Sequence, residues 1–417
     1  MKPKFYRKIL RNGMTIIFEK RDNPVVSVAI AVRCGGINEE EHEKGISHFI
    51  EHMLYKGTKK RTAKQIAEEI ENNGGDLNGF TDHLVTAYWC KIPSKHLKVA
   101  LEVLTDMIKN SLFAEKELEK ERKVIFEEIK MRKDSPRTYV MDQIHSFLYE
   151  KPFGADLIGT YGSMNSITRE KILKRFKQVY APGNMILAVV GDADFSEVIK
   201  FTEKNFRKKS SGGRQNVIRR RGQFKGKKIE IKKPAVILRN KIRTEKRKGV
   251  DQANLVFAYH VPLFNDEKSY AAYVLNALMA GGMSSRLFSE IREKRNLAYA
   301  VKGDSEITKD FAYNTIYVGT TKDKIAKVKN IILKEFKKVS QKLKEEELKQ
   351  IKEQLIGNYQ ISMEDSQLQL ANLLMYEIDG NAKEFYDFEK KINSVKLKDV
   401  KNLAKIKDYS LFILIPE

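Results

Sequence analysis

Residues 45–58 read GISHFIEHMLYKGT and place His48, Glu51 and His52 within five residues of a predicted helix. Residues four apart on a helix lie on one face, about 5–6 Å apart at Cβ. That spacing lets both imidazoles reach one ion, and zinc takes N, O or S donors at about 2.0–2.3 Å. Glu51 is three residues from His48 and lies beside the same face. A carboxylate there is placed to hold a water on the metal and take its proton, rather than to ligate. The competing reading is a solvated helix face. Phe49, Ile50, Met53 and Leu54 oppose it, because they make the segment largely apolar and leave the His/Glu face partly buried, where ionisable groups need partners. The other five histidines, His42, His83, His96, His145 and His260, are isolated.

Two histidines leave a third ligand to find, and LEKERKVIFEEIKM (118–131) offers acids for it. Glu121 and Glu128 are seven apart, two turns of helix, and share a face. Val124 and Ile125 between them suggest that this face is not fully exposed. Glu127 points about 100° away from Glu128. Spacing alone leaves all three open.

The chain has 417 residues and 41% apolar content, which fits two or three domains with real cores. It contains no apolar run of about 18 residues, the length that spans a membrane. The N-terminus, MKPKFYRKILRNGMTIIFEK, lacks the apolar core and cleavage site of a secretory signal, and Asn12-Gly13 reads as a turn into a strand at Met14–Phe18. These features predict a cytoplasmic protein. Cys34 and Cys90 lie in apolar, strand-like stretches and read as small buried hydrophobes rather than a disulfide framework. The formal net charge is +23, and Lys204–Lys233 alone holds thirteen Lys/Arg against Glu230. A basic run can bind nucleic acid. Here no nucleic-acid motif accompanies it, and Ser210-Ser211-Gly212-Gly213 marks a connection, so it reads as a linker.

That linker separates two similar halves. Asn165-Ser166-Ile167-Thr168 leads into the helix EKILKRFKQVY and the strand Met185–Val190; Asn393-Ser394-Val395 leads into KLKDVKNLAKI and the strand Ser410–Ile415. KELEKERKVIFEEIKMRKDSP (116–136) is echoed by EELKQIKEQLIGNYQISMEDS (346–366), both long charged helices ending in Asp-Ser. A period of about 230 residues is too long for a solenoid and implies a duplicated domain. Val25–Val32 and Thr86–Ile92 read as strands, and long helices at 96–110, 115–133 and 139–149 follow without alternating strands. The class is therefore α+β, with two homologous layered domains of mainly antiparallel sheet packed with long helices. The boundaries are 1–206 for the N-terminal domain, 207–229 for a basic flexible linker and 230–417 for the C-terminal domain.

Four ordered stretches carry a resemblance that spans nearly the whole chain: GGINEEEHEKGISHFIEHMLYKGT (35–58), GGDLNGFTDHLVTAYW (74–89), ERKVIFEEIKMRKDSP (121–136) and SSRLFSEIREKRNLAYAV (284–301). The chain resembles the pitrilysin/insulinase superfamily of peptidases, whose His-x-x-Glu-His helix is the reverse of the common zinc-protease motif, the inverzincin signature. Within it the chain is most similar to the branch of mitochondrial processing peptidase and its bacterial relatives. The resemblance implies a zinc metalloendopeptidase binding one zinc per chain through His48, His52 and Glu128, with Glu51 as general base and Glu121 as the acid supporting the ligands. It implies that Arg292 and Tyr299 contact the bound peptide and the developing oxyanion. It places Asn78, Gly79, Phe80 and Thr81 on an edge strand that pairs with substrate. The family usually carries Ala where this chain has Gly79, and Asp82-His83-Leu84-Val85 is also unusual, which bears on that strand and not on the metal. The C-terminal half has no second His-x-x-Glu-His. The family encloses peptides in a clamshell chamber of four such domains, so two domains per chain imply a homodimer, or a heterodimer with an inactive relative, with Arg292 and Tyr299 supplied by the second subunit. The implied substrates are peptides or unfolded segments, or one dedicated precursor from which a leader is removed.

Overall fold

The computed structural model describes residues 4–207, 231 and 233–417. The basic stretch read as a linker lies, over 208–230, outside the described residues. Strands and helices are segregated as an α+β class requires, and the strands form two sheets.

The first sheet contains β1 (Lys4–Ile9), β2 (Thr15–Lys20), β3 (Val25–Val32), β4 (Asp76–Thr81), β5 (Thr86–Pro93) and β6 (Met185–Gly191), in the order β1-β2-β6-β3-β5-β4. Only the pair β2/β6 is parallel. The two central strands, β6 and β3, are nearly continuous apolar runs, because both faces are covered; Ile30, Ala31, Val189 and Ile186 are no more than 1% exposed. β4, by contrast, is a half-exposed edge.

The second sheet contains β7 (Ile242–Arg247), β8 (Ala253–His260), β9 (Ala298–Ile307), β10 (Ala312–Thr320) and β11 (Ser410–Pro416), in the order β7-β11-β8-β10-β9. Again one pair, β7/β11, is parallel. Leaving aside the extra edge β1, the two sheets have the same strand order and the same single parallel pair. The duplication read from the two echoes is therefore a duplication of topology.

The compact units are not contiguous in sequence. One comprises the described residues up to Ile125, those from Leu157 to Pro234, and Met363–Lys383; the other comprises Phe126–Asp156, Ala235–Ser362 and Glu384–Glu417. The last strand of the first sheet in chain order is β6 and the first of the second sheet is β7, and each unit also takes a segment from the opposite half of the chain. The helix Ser366–Asp379 packs on β3 and β6 of the first sheet. Its Ser366 hydroxyl meets that of Ser27 at 2.9 Å, and its Glu377 accepts from Arg7 and Arg33 at 2.8–2.9 Å. The helix Pro136–Leu148 packs on β8 and β11 of the second sheet, where Ser410 Oγ donates to the carbonyl of Phe147 at 2.8 Å and the Phe147 and Phe412 rings lie 5.1 Å apart. Among the described residues no helix is long and apolar enough to cross a membrane.

Candidate metal centre

The helix Ile46–Leu54 starts at Gly45, which has φ +88°, a conformation that suits glycine. A Cβ there would fall 2.3 Å from Met164 Cε and 2.4 Å from the carbonyl oxygen of Ile158, so close packing also demands glycine. The buried Glu39 carboxylate accepts from the N–H groups of Gly45 at 3.0 Å and Ser47 at 2.8 Å. It satisfies two orphan donors and places negative charge at the positive end of the helix. Phe49, Ile50, Met53 and Leu54 anchor one face and are at most 1% exposed. The opposite face then presents His48 and His52, whose rings lie 4.6 Å apart.

The helix Glu115–Asp134 is held on this one from Arg122. Its guanidinium carbon lies 5.3 Å from the centre of the Phe49 ring, and its Nη2 donates to the carbonyl of Ile167 at 2.9 Å. That seating brings Glu121 to His52, with Nδ1 and Oε2 3.1 Å apart, while Lys56 Nζ lies 2.7 Å from Oε1. Burial disfavours the Glu121 carboxylate, but the hydrogen bonds from His52 and Lys56 outweigh it and hold its carboxyl below the ordinary range. Glu128 is two turns further along the same continuous helix. The helix itself therefore fixes its position relative to Glu121.

The ligand atoms of His48, His52 and Glu128 all lie within 4.8 Å of one another. Of the three acids left open by spacing, Glu121 is engaged with His52 and Lys56, Glu127 is exposed, and Glu128 is half-buried beside the histidines. The residues present fit zinc. Two imidazole nitrogens and one carboxylate oxygen make a set of three protein donors that leaves a coordination position open, the arrangement of catalytic zinc sites. With Nδ1 of His52 tied to Glu121, Nε2 is the atom left to ligate, and the carboxylate fixes the ring.

Glu51 is 8% exposed, and its Oε2 accepts from the Thr81 hydroxyl at 2.6 Å. Thr81 ends β4, so the acid next to the histidines is tied to the edge strand. Asn78, Gly79, Phe80 and Thr81 all lie on that edge, paired on one side only, with β5. Arg292 and Tyr299 belong to the second unit. Arg292 stacks on Phe288 and Tyr299, its guanidinium carbon 4.8 and 5.3 Å from their ring centres, and Tyr299 is 77% exposed on β9, the edge of the second sheet. Glu39, Lys56 and Arg122 were not singled out by the sequence. Their only signal was an acid, a lysine and an arginine flanking the motif in a chain rich in all three.

Comparison with known proteins bears on the family and the fold. The family model described as insulinase, peptidase family M16, matches residues 15–161, and the one described as the peptidase M16 inactive domain matches residues 166–355. A protein named as a zinc protease in Rickettsia felis is 34% identical over 367 residues, covering 87% of this chain and 85% of its own. The zinc protease YmxG of Bacillus subtilis is 32% identical over 424 residues, 98% of each chain. Among solved structures, a protease from Helicobacter pylori superposes with a TM-score of 0.87 at 24% identity, covering 99% of this chain and all of that one. An M16-like peptidase from Alicyclobacillus acidocaldarius gives 0.84 at 18% identity, covering 100% and 99%. The two family models together match most of the chain, and with relatives matching over most of their own length they place it in the pitrilysin/insulinase family of metallopeptidases, M16.

Proposed function

We propose that the chain is a zinc metalloendopeptidase that holds one zinc on His48, His52 and Glu128 and hydrolyses peptides bound in extended form along β4. The observation that carries this reading is the meeting of three ligand atoms within 4.8 Å beside a buried carboxylate, Glu51, tethered to an edge strand. When bound, zinc supplies Lewis acidity that brings the pKa of a water to about 7 and polarises a carbonyl. The residues of the chain do the rest. β4 offers unpaired backbone groups to a peptide, giving affinity with little dependence on sequence. Glu51 accepts the proton of the attacking water at its carboxylate and returns it to the leaving amine. Glu121 keeps the His52 ring in one orientation. Arg292 and Tyr299 contact the peptide and the developing oxyanion, a contribution of about 3–4 kcal/mol for a well-placed donor. They do so from a second copy of the chain, in a dimeric chamber that admits peptides and unfolded segments.

The test is zinc content and cleavage of a quenched fluorescent peptide library for wild type and Glu51→Gln. One zinc per chain in both, with cleavage in wild type only, is expected. Cleavage by Glu51→Gln removes Glu51 from the role of base. Mixing Glu51→Gln with Arg292→Ala should restore activity if the two residues act across subunits; no recovery in a mixture that forms mixed dimers refutes action in trans.

A further inference from the structure

The groups around Glu51 extend beyond the metal ligands. Thr81 occupies one carboxylate oxygen, Oε2. Residues two apart on a strand share a face, so Gly79 faces the helix as well. A Cβ on Gly79 would fall 2.6 Å from Tyr55 Oη, 2.9 Å from the carbonyl oxygen of Ala87 and 3.2 Å from Glu51 Oε1. The missing side chain of Gly79 is thus the space in which the phenol hydroxyl and the carboxylate converge. The Tyr55 hydroxyl oxygen is buried and has no hydrogen-bond partner among the described residues. Leaving such a group unsatisfied is costly, so its placement calls for a reason. Burial first, and the charge of Glu51 second, push its pKa well above the ordinary tyrosine value, which keeps it a donor.

The second unit supplies an internal comparison. Its helix Ser269–Ala280 follows β8 as the metal helix follows β3, and it packs on β9 and β10 as the metal helix packs on β4 and β5. A Cβ on Gly303 of β9 would fall 2.8 Å from Asn276 Oδ1 and 2.9 Å from Ala280 Cβ, and Asn276 Nδ2 donates to Ser305 Oγ at 3.0 Å. The spacings are the same in both units. Gly303 and Ser305 stand where Gly79 and Thr81 stand, and Asn276 and Ala280 stand where Glu51 and Tyr55 stand. Tyr273 and Ala277 fall at the positions of His48 and His52. The glycine and the strand hydroxyl are therefore the way this fold seats a helix on its edge strand. The carboxylate and the phenol hydroxyl occur only where the metal ligands occur.

We propose that Tyr55 is a positioning residue for Glu51, its hydroxyl donating through one water to the carboxylate, opposite Thr81, in the space that Gly79 leaves. Two-point support fixes the rotation of the carboxylate toward the attacking water. The inference rests on Glu51 being the base. A misplaced base slows the chemical step and leaves ground-state binding intact. Tyr55→Phe should therefore lower kcat by about tenfold or more, with KM within about twofold and zinc affinity unchanged. Thr81→Val should act likewise, and Thr81→Ser should restore kcat.

A readout independent of activity comes from Gly79→Ala. Its methyl meets both the Tyr55 hydroxyl and the Ala87 backbone, so it should lower Tm, and lower it less when Tyr55 is already Phe. Non-additivity of that kind marks a direct contact. Wild-type kcat in Tyr55→Phe, or additive Tm changes in the Gly79→Ala and Tyr55→Phe pair, overturns the inference. Glu51→Gln separates the two failures. If it is zinc-loaded and inactive while Tyr55→Phe is fully active, Glu51 stands and Tyr55 falls. If Glu51→Gln cleaves, the reading of the base fails whatever Tyr55 does.

Discussion

Glu121→Ala removes the partner of His52 without removing a ligand, and so measures what ring orientation contributes to the metal site. His52 Nδ1 lies 3.1 Å from Glu121 Oε2, and the carboxylate is 5% exposed, so no bulk water is at hand to replace it. Without the carboxylate the imidazole regains its tautomeric and rotational freedom. Lys56 also loses the oxygen it holds at 2.7 Å and brings an uncompensated positive charge beside the ligands. Loss of such a partner lowers metal affinity by about 10–100-fold, or about 1.4–2.8 kcal/mol. The Lys56 charge places the expected value toward the upper end. Glu121→Gln keeps an acceptor oxygen for His52 and turns an amide toward Lys56, so it should fall between wild type and alanine. Glu128→Ala removes an oxygen donor and should exceed both. Competition with a chromophoric zinc chelator at fixed pH gives the four affinities. Wild-type affinity in Glu121→Ala would refute the argument, because it would mean that the His52 ring is held by something other than this carboxylate.

Two further outcomes concern the scaffold. Glu377 is 1% exposed and paired with Arg7 and Arg33, so Glu377→Ala, which leaves two part-exposed arginines without their anion, should destabilise by about 1–3 kcal/mol in denaturant titration. Burial opposes its ionisation, but the two arginines outweigh this and depress its pKa, so the pair stabilises fully above the unfolded-state carboxyl range and this contribution fades as pH falls through the lower folded value. A wild-type advantage over Glu377→Gln that grows on acidification would contradict this sign. Gly45→Ala must strain a positive φ and displace Met164 and the Ile158 backbone, so it should lower both Tm and zinc occupancy; a variant losing neither would show that the helix start tolerates movement.

The metal helix was legible because its two periodicities agree. Histidines four apart share a face, and Phe49, Ile50, Met53 and Leu54 mark the opposite one. The identity of the third acid was not fixed by spacing, since helical periodicity groups Glu121 with Glu128 but says nothing about how far along the neighbouring helix each sits. That register is set by Arg122 over Phe49, a contact 73 residues apart in sequence for which no local pattern exists. The duplication was visible in the echoes ending at Asp134-Ser135 and Asp365-Ser366. The exchange that follows each of them was not. Ser366–Asp379 has an apolar face suited to any sheet, and what assigns it to β3 and β6 is a set of buried polar pairs, Ser27 with Ser366, Glu19 with Gln369 and Glu377 with two arginines. Such pairs are too distant in sequence to be read from either segment alone.

The seating of a helix on its edge strand bears on how two copies of one fold can differ, one carrying His48, Glu51 and His52 at that seat and the other Tyr273, Asn276 and Ala277. The helix-on-edge-strand seating is common to both copies and depends on a glycine and a strand hydroxyl two residues later, so it survives changes on the helix side. Replacing His48, Glu51, His52 and Tyr55 by the Tyr273, Asn276, Ala277 and Ala280 set keeps the packing and one hydrogen bond to the strand. It removes the two imidazoles and the carboxylate that could bind an ion or take a proton there. Asn276 can donate to Ser305 but cannot accept a proton at neutral pH. On the proposed function, what sets the two units apart is these four helix positions together with Glu128, while the strand proposed to meet a peptide is an edge in both units. On that same proposal, the second unit keeps what peptide binding needs, an exposed edge that carries Tyr299 with Arg292 stacked against it, without the groups that hydrolysis needs.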